Sequence, residues 1–268
     1  MQTMPTKWCR IELAGQPVYA LVEGDEVKPI DAAPFDNWRR TGAALKLSDA
    51  KLLAPVVPGN FHAAGLNFRS HIDWANLEFG KNMPVPAQAD IGSRSANALV
   101  GNDAEVIVPA DAKGPFQYEG ELVAVIGRQA KSLSEADALS CVAGYTLGND
   151  FSERGWQFSD RTLWRAKSSD TFKPMGPCVV SGIEPMNQQI DVKINGKTVS
   201  SYNTSAMIFS VATYISRMSQ YITLYPGDVI WFGCDGPTLP NVRHGDIVEV
   251  INSEIGILRN RVVWLPTV

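Results

Sequence analysis

Several common functional signals are missing from this 268-residue chain. Its four cysteines, Cys9, Cys141, Cys178 and Cys234, are scattered and form no C-x-x-C, and its three histidines, His62, His71 and His244, show no zinc-like spacing. A structural zinc site is therefore not expected. No basic run or basic-aromatic cluster offers a nucleic-acid footprint, and 24 basic against 28 acidic residues leave a net charge of -4. No apolar run approaches the ~18 residues that span a bilayer, and the start MQTMPTKWCR lacks the apolar core of a signal peptide. The expectation is a soluble protein of a reducing compartment, cytoplasmic by default, with neither nucleic acid nor membrane as partner. Internal repeats of 20 to 50 residues are also lacking.

What is present suits one large domain with a small appendage, since 45% hydrophobic residues over this length can bury a sizeable core. Residues 1–55 alternate in WCRIEL and PVYALVEG, broken by Gly-Gln and Gly-Asp, which predicts a small β-rich N-terminal domain. PVVPG (Pro55–Gly59) marks a junction to a larger unit, residues 59–268. Within that unit, about 67–103 is polar and poorly periodic, longer than an ordinary connection, and reads as a lid. SLSEADALSCVAGY predicts a short helix with Ser134 as cap, Asp137 in an approximate capping box and Leu133 as staple. A second helix is predicted in TSAMIFSVATYISRMSQ, capped by Thr204 or Ser205, with Met207, Ile208, Val211, Ile215 and Met218 on one stripe. The last third reads as strands, LYPGDVIWFG, RHGDIVEVI and GILRNRVVWL, so the fold class expected is α+β, β-dominated.

One strand carries an oddity. FQYEGELVAVIG places Glu119 and Glu121 two apart, which on a strand means the same face and Cα atoms roughly 7 Å apart, followed on that face by Val123 and Val125. If the face is exposed, the pair is a polar strand end. If it is buried, two unpaired carboxylates are too costly to keep ionised, and a divalent cation with oxygen ligands is the usual resolution. GYTLGNDFSERGWQ offers Asp150 as a third acidic oxygen, and WRAKSSDTFKPMGP offers Lys167, which taken alone reads as a solvated surface group.

The order YEGELVAVIG, GYTLGNDFSERGWQ, AKSSDTFKPMGP, TSAMIFS, LYPGDVIWFG and HGDIVEVINSEIGILRN closely resembles the fumarylacetoacetate hydrolase family in its acylpyruvate-hydrolase branch, over roughly residues 59 to 264. The resemblance implies a mixed β-roll or β-sandwich fold, a homodimer, and Mg²⁺ or Mn²⁺ held by Glu119, Glu121 and Asp150. It also implies substrate contacts from Arg154, Gln157 and Lys167, with a 2-oxo acid as the small-molecule partner. The implied reaction is hydrolysis of a C–C bond in a 2,4-dioxo acid, with His71 taking the proton of water, Lys167 neutralising oxyanion charge and the pyruvate enolate held on the metal. Isomerisation, decarboxylation or lyase chemistry of a related 2-oxo acid is the alternative, followed by a non-catalytic binding role.

Two departures from the family pattern stand out. Where the family shows N-Y-x-x-H-x-x-E, this chain reads NFRSHIDW, so His71 is matched but Trp74 holds the glutamate position, and Asp73 falls on the wrong side of an ideal helix. In FGCDGPTLP, Phe232 and Cys234 stand at threonine positions of a turn that receives the substrate carboxylate, leaving the amides of Gly233 and Gly236 as candidate donors. Cys234 by itself reads as a small buried residue. Arg94 falls roughly where the family has a lysine. Trp74, Phe79 and the stretch Met83–Pro86 suggest an apolar or aromatic distal pocket, which Trp156 and Trp164 either join or flank.

Overall fold

The computed structural model describes residues 6–266. Strands dominate, in the α+β arrangement expected. A 12-stranded sheet runs from Leu45–Lys46 through Glu26–Ile30, Gln16–Glu23, Lys7–Leu13, Lys173–Val180, Val142–Asn149, Gly120–Ile126 and Val229–Trp231 to Phe61–Ala64 and Ile91–Ser93. A five-stranded sheet (Lys197–Asn203, Gln189–Ile194, Ile247–Asn252, Gly256–Trp264, Glu105–Val108) packs against it. Most neighbours are antiparallel, but Val229–Trp231 pairs parallel to Phe61–Ala64, as Gly256–Trp264 does to Glu105–Val108.

Gly120–Ile126 lies at the centre, all seven of its residues buried, Glu121 among them. Its pleat sends Leu122, Ala124 and Ile126 into one apolar cluster and Val123 and Val125 into another. Its partner Val142–Asn149 sets Gly148 opposite Glu121 and Asn149 opposite Gly120. Gly148 is required there, since a Cβ would lie 2.5 Å from Trp231 Cζ3, inside the ring's contact distance. We expect Gly148→Ala to destabilise the fold by about 1–3 kcal/mol through overpacking, seen as a lower denaturant midpoint with an unchanged slope.

Helix α1 (Arg69–Phe79) opens the predicted lid segment, which is built structure rather than a long loop. Its periodicity is faint because only Ile72 and Ala75 are buried, and it stops at Gly80 in the left-handed conformation that favours glycine. Beyond it, Ile91–Ser93 and Leu99–Val100 join sheet strands. Helix α2 (Glu135–Ala138) begins as expected, with Ser134 Oγ accepting the Asp137 N–H and Leu133 packed on the core. Two short helices, α3 (Arg154–Gln157) and α4 (Trp164–Ser168), follow the Asn149-Asp150 turn.

Helix α5 (Val211–Tyr221) starts later than the sequence suggests. Its cap is Ser210, whose Oγ accepts the Thr213 N–H at 3.1 Å, and not Thr204 or Ser205. Thr204–Ala206 forms a separate 3-10 turn, Met207 bridges Phe68, and Ile208 and Phe209 bend where Asn67 captures them. The Asn67 carbonyl accepts the Ile208 N–H, its Oδ1 accepts the Phe209 N–H, and its Nδ2 donates to the carbonyls of Phe209 and Phe232. The stripe expected on one helix is thus divided, with Val211, Ile215 and Met218 on α5.

Candidate active site

The three acidic residues singled out in the sequence meet. Glu119, Glu121 and Asp150 are all buried, and one carboxylate oxygen from each lies within 4.8 Å of the others. The turn that brings them together is locked by one side-chain and one backbone acceptor: Asn149 Oδ1 accepts the Glu119 N–H at 3.0 Å, and the Glu119 carbonyl accepts the Asp150 N–H at 2.8 Å.

Two of the three carboxylates are heavily compensated. Arg154 Nη2 donates to Glu119 Oε1 at 2.7 Å, and Lys167 Nζ reaches Glu119 Oε2 at 2.5 Å and Asp150 Oδ2 at 2.9 Å. Arg94 Nη2 adds a 2.9 Å bond to the same Asp150 oxygen. Burial opposes ionisation of Glu119, but Lys167 and Arg154 hold its carboxyl at about 2. Asp150, equally buried, is drawn well below the usual carboxylate range by Arg94, Lys167 and Lys173.

Lys173 was not anticipated. It is fully buried, its ammonium 2.6 Å from Asp150 Oδ1, and it donates to the carbonyls of Phe151 and Phe172. Burial, with repulsion from Lys167 and Arg94, brings its amine down to about 7 against the pull of Asp150. A lysine set between Phe172 and Pro174 at the start of an otherwise apolar strand was the available signal.

Glu121 differs, since no cation pairs with it among the described residues and its single partner is the Gly233 N–H at 2.7 Å. Burial and the neighbouring Asp150 and Glu119 push its carboxyl well above 4.5. Asp150 Oδ1 has the Lys173 ammonium at 2.6 Å and no other donor among the described residues, which leaves it a second lone pair. A buried carboxyl without a counter-charge beside a buried oxygen with a free lone pair, in a set of three hard oxygen donors, fits Mg²⁺ or Mn²⁺.

Lining a cavity of about 360 Å³ beside this cluster are Glu119, Arg154, Gln157, Lys167, Arg94 and His71, with Trp74, Phe79, Met83 and Phe158 forming its outer wall. Arg154 fixes Gln157 by donating to its Oε1 at 2.7 Å and also binds Gln117 and Thr238. The aromatic wall is continuous: His71 to Trp74, Trp74 to Phe79 and Phe79 to Phe158 have ring centroids 5.3, 5.5 and 5.1 Å apart. Trp156 does not join it, packing instead in the core under the Arg165 guanidinium. Trp164 is exposed and lines a broader hollow of about 860 Å³ that shares only Arg94 with the site and mixes serines, Asn97 and Asp170 with Ile107, Pro109 and Leu265.

On α1, His71 Nδ1 stands 2.8 Å from the Gly236 carbonyl. A carbonyl can only accept, so Nδ1 carries the hydrogen and Nε2 keeps the lone pair. Burial lowers the imidazole pKa below 6.5; Glu119 opposes this, while Arg154 and Lys167 reinforce it. The result is a neutral ring with one free basic nitrogen. Asp73 faces the other way, exposed and paired with Arg69 at 3.0 Å, so no carboxylate accompanies His71 on the lid.

The turn at Phe232–Pro240 corrects an expectation. Gly233 spends its N–H on Glu121, and the Gly236 N–H goes to Asp235 Oδ1 at 2.8 Å and Ser70 Oγ at 3.1 Å, so neither amide is free to receive a substrate carboxylate. Cys234 lies behind the cavity wall, buried, with its Sγ 3.9 Å from His71 Nδ1, a histidine neighbour that sequence spacing did not reveal.

Comparison with known proteins agrees with this architecture. Residues 60–263 match the family model described as fumarylacetoacetate (FAA) hydrolase C-terminal, and residues 6–55 the one described as Rv2993c-like, N-terminal. An uncharacterized protein of Archaeoglobus fulgidus is 37% identical over 222 residues, 83% of this chain and 86% of that one. The oxaloacetate tautomerase FAHD2A of Homo sapiens is 35% identical over 235 residues, covering 82% of this chain and 71% of its own. Among solved structures, 5-carboxymethyl-2-hydroxymuconate delta-isomerase from Mycobacterium smegmatis superposes with a TM-score of 0.86 at 32% identity, over 97% of this chain and 100% of that one.

Proposed function

The chain belongs to the fumarylacetoacetate hydrolase family, and from that premise we propose that it isomerises a 2-oxo acid through its enolate, with Mg²⁺ or Mn²⁺ held by Glu119, Glu121 and Asp150. The observation that carries this reading is the lid, where His71 is a solitary base. Trp74 holds the place of a second proton-handling group, and Asp73 is turned outward to Arg69. Relatives named as an oxaloacetate tautomerase and a hydroxymuconate isomerase support it.

A divalent cation on the three carboxylates supplies charge that polarises the 2-oxo group and eases formation of the enolate. The chain's own residues do the rest. Lys167 and Arg94 face the cavity as cations that hold the substrate's carboxylate and the developing oxyanion. Neutral His71 carries a proton between carbon 3 and the enol oxygen, its ring kept in one tautomer by the Gly236 carbonyl. Trp74, Phe79 and Phe158 wall off water and pack the distal group.

Hydrolysis of a 2,4-dioxo acid is the second reading, favoured by a cavity of about 360 Å³ that leaves room beyond a pyruvate-sized head for an acyl group. The two separate by following loss of enol absorbance with oxaloacetate and an acylpyruvate while assaying pyruvate and CO₂. Isomerisation accelerates the absorbance loss without matching pyruvate; stoichiometric pyruvate from the acylpyruvate makes the protein a hydrolase, and CO₂ release makes it a decarboxylase. Trp74→Glu sets a carboxylate beside His71 and is expected to raise the pyruvate formed per enol consumed. An unchanged ratio would show that the missing lid carboxylate does not limit hydrolysis.

A further inference from the structure

At the edge of the cavity, a second set of donors of different chemistry converges. A ring nitrogen of His71, Sγ of Cys234 and a carboxylate oxygen of Glu119 all lie within 4.8 Å of one another. The three come from separate elements: the lid helix α1, the turn after Val229–Trp231 and the edge of the central strand. We propose that this is a site for a thiophilic divalent cation, Zn²⁺ in particular, which holds the lid against the catalytic carboxylates and switches the enzyme off.

The donor set argues for the ion. Mixed nitrogen, sulfur and oxygen ligands with one position left for water are the habit of tetrahedral zinc, whereas Mg²⁺ prefers the all-oxygen cluster beside it. Zn–S of about 2.3 Å and Zn–N of about 2.0 Å at a tetrahedral angle put the two donors about 3.6 Å apart. His71 Nδ1 and Cys234 Sγ are already at 3.9 Å, close to that spacing. Binding there exchanges the Gly236 carbonyl for the metal, moves the imidazole hydrogen to Nε2 and releases the thiol proton to solvent, so charge and protons balance. Glu119 must give up a bond to Lys167 or Arg154 to take part.

Inhibition follows from what the ion takes. His71 loses the free lone pair assigned to proton transfer, and Glu119 is shared between the two metal sites, so Zn²⁺ and Mg²⁺ compete.

Cobalt makes the test independent of activity. Added to metal-free protein, Co²⁺ is expected to give the near-ultraviolet charge-transfer band of a thiolate ligand, and Cys234→Ser to lose it. By calorimetry, Zn²⁺ affinity falls about tenfold or more in Cys234→Ser and in His71→Gln, while Mg²⁺ affinity holds. Absence of the band in the unaltered protein overturns the proposal whatever the variants do. Zinc affinity unchanged in a folded Cys234→Ser protein also overturns it. Neither result bears on the proposed isomerase reaction.

Discussion

Replacing Asp150 by alanine is expected to abolish turnover and to lower folding stability by about 3–5 kcal/mol, the range for removing one partner of a buried ion pair. Loss of a metal ligand often relieves repulsion, so the direction needs arguing. Asp150 is the common counter-charge of Arg94, Lys167 and Lys173, at 2.9, 2.9 and 2.6 Å, and all three side chains are buried. Without it, Lys167 retains Glu119, but Lys173 keeps only carbonyls and Arg94 only the Ser93 carbonyl. Arg94 then lies in the interior without an anion, and Lys173, already brought down to about 7, gives up its proton.

Glu121 gives the contrast. With no cation beside it and two carboxylates repelling it, Glu121→Gln should leave the metal-free protein at least as stable as its parent while removing the stabilisation that Mg²⁺ confers. Denaturant unfolding with and without Mg²⁺ reads both variants, and an Asp150→Ala protein as stable as its parent would sink the account. The pH dependence carries opposite signs. Asp150, held below 3.8, contributes stability that is present above that value and lost as pH falls further. Glu121, raised above 4.5, makes the metal-free fold most stable at low pH and less so as pH rises through its folded value.

The second large effect lies on the lid. His71→Gln is expected to reduce kcat by about 10²- to 10⁴-fold, the usual contribution of a positioned acid-base group, with the fold and the binding of Mg²⁺ and oxalate intact. In the parent enzyme activity should fall on acidification, with the acid limb below pH 6.5. Burial depresses the imidazole against Glu119 and the Gly236 carbonyl, and Arg154 and Lys167 add to the depression. A limb centred above 6.5, or a rate within tenfold of the parent in the variant, would assign the base elsewhere.

Local pattern made part of this site legible. A two-residue spacing on a strand fixes a face wherever the strand lies, so Glu119 and Glu121 could be paired from sequence, and family resemblance added Asp150, Arg154, Gln157 and Lys167. Asp73 was also decidable, because Arg69 sits four residues before it and turns it away. The remainder depends on contacts between distant segments. Whether the Gly233 amide is free depends on Glu121, 112 residues away, and the start of α5 depends on Asn67 holding Phe209, 142 residues away. Lys173 kept its position because Asp150 and two carbonyls meet it inside the protein, a circumstance that neither propensity nor charge count reports.

Asn67 has a further, mechanical consequence. It pins the root of α1 to two other segments through its carbonyl and both side-chain ends, while at the far end Asn76 binds only Met83 and the chain just beyond Gly80, within the lid itself. The lid helix is therefore a cantilever, fixed by hydrogen bonds beside the chemistry and held at its tip by the contacts of Phe79 and Lys81 with the Phe158 ring. Any deflection that admits a ligand is largest at the tip and smallest at His71, so the gate can open without dismantling the base.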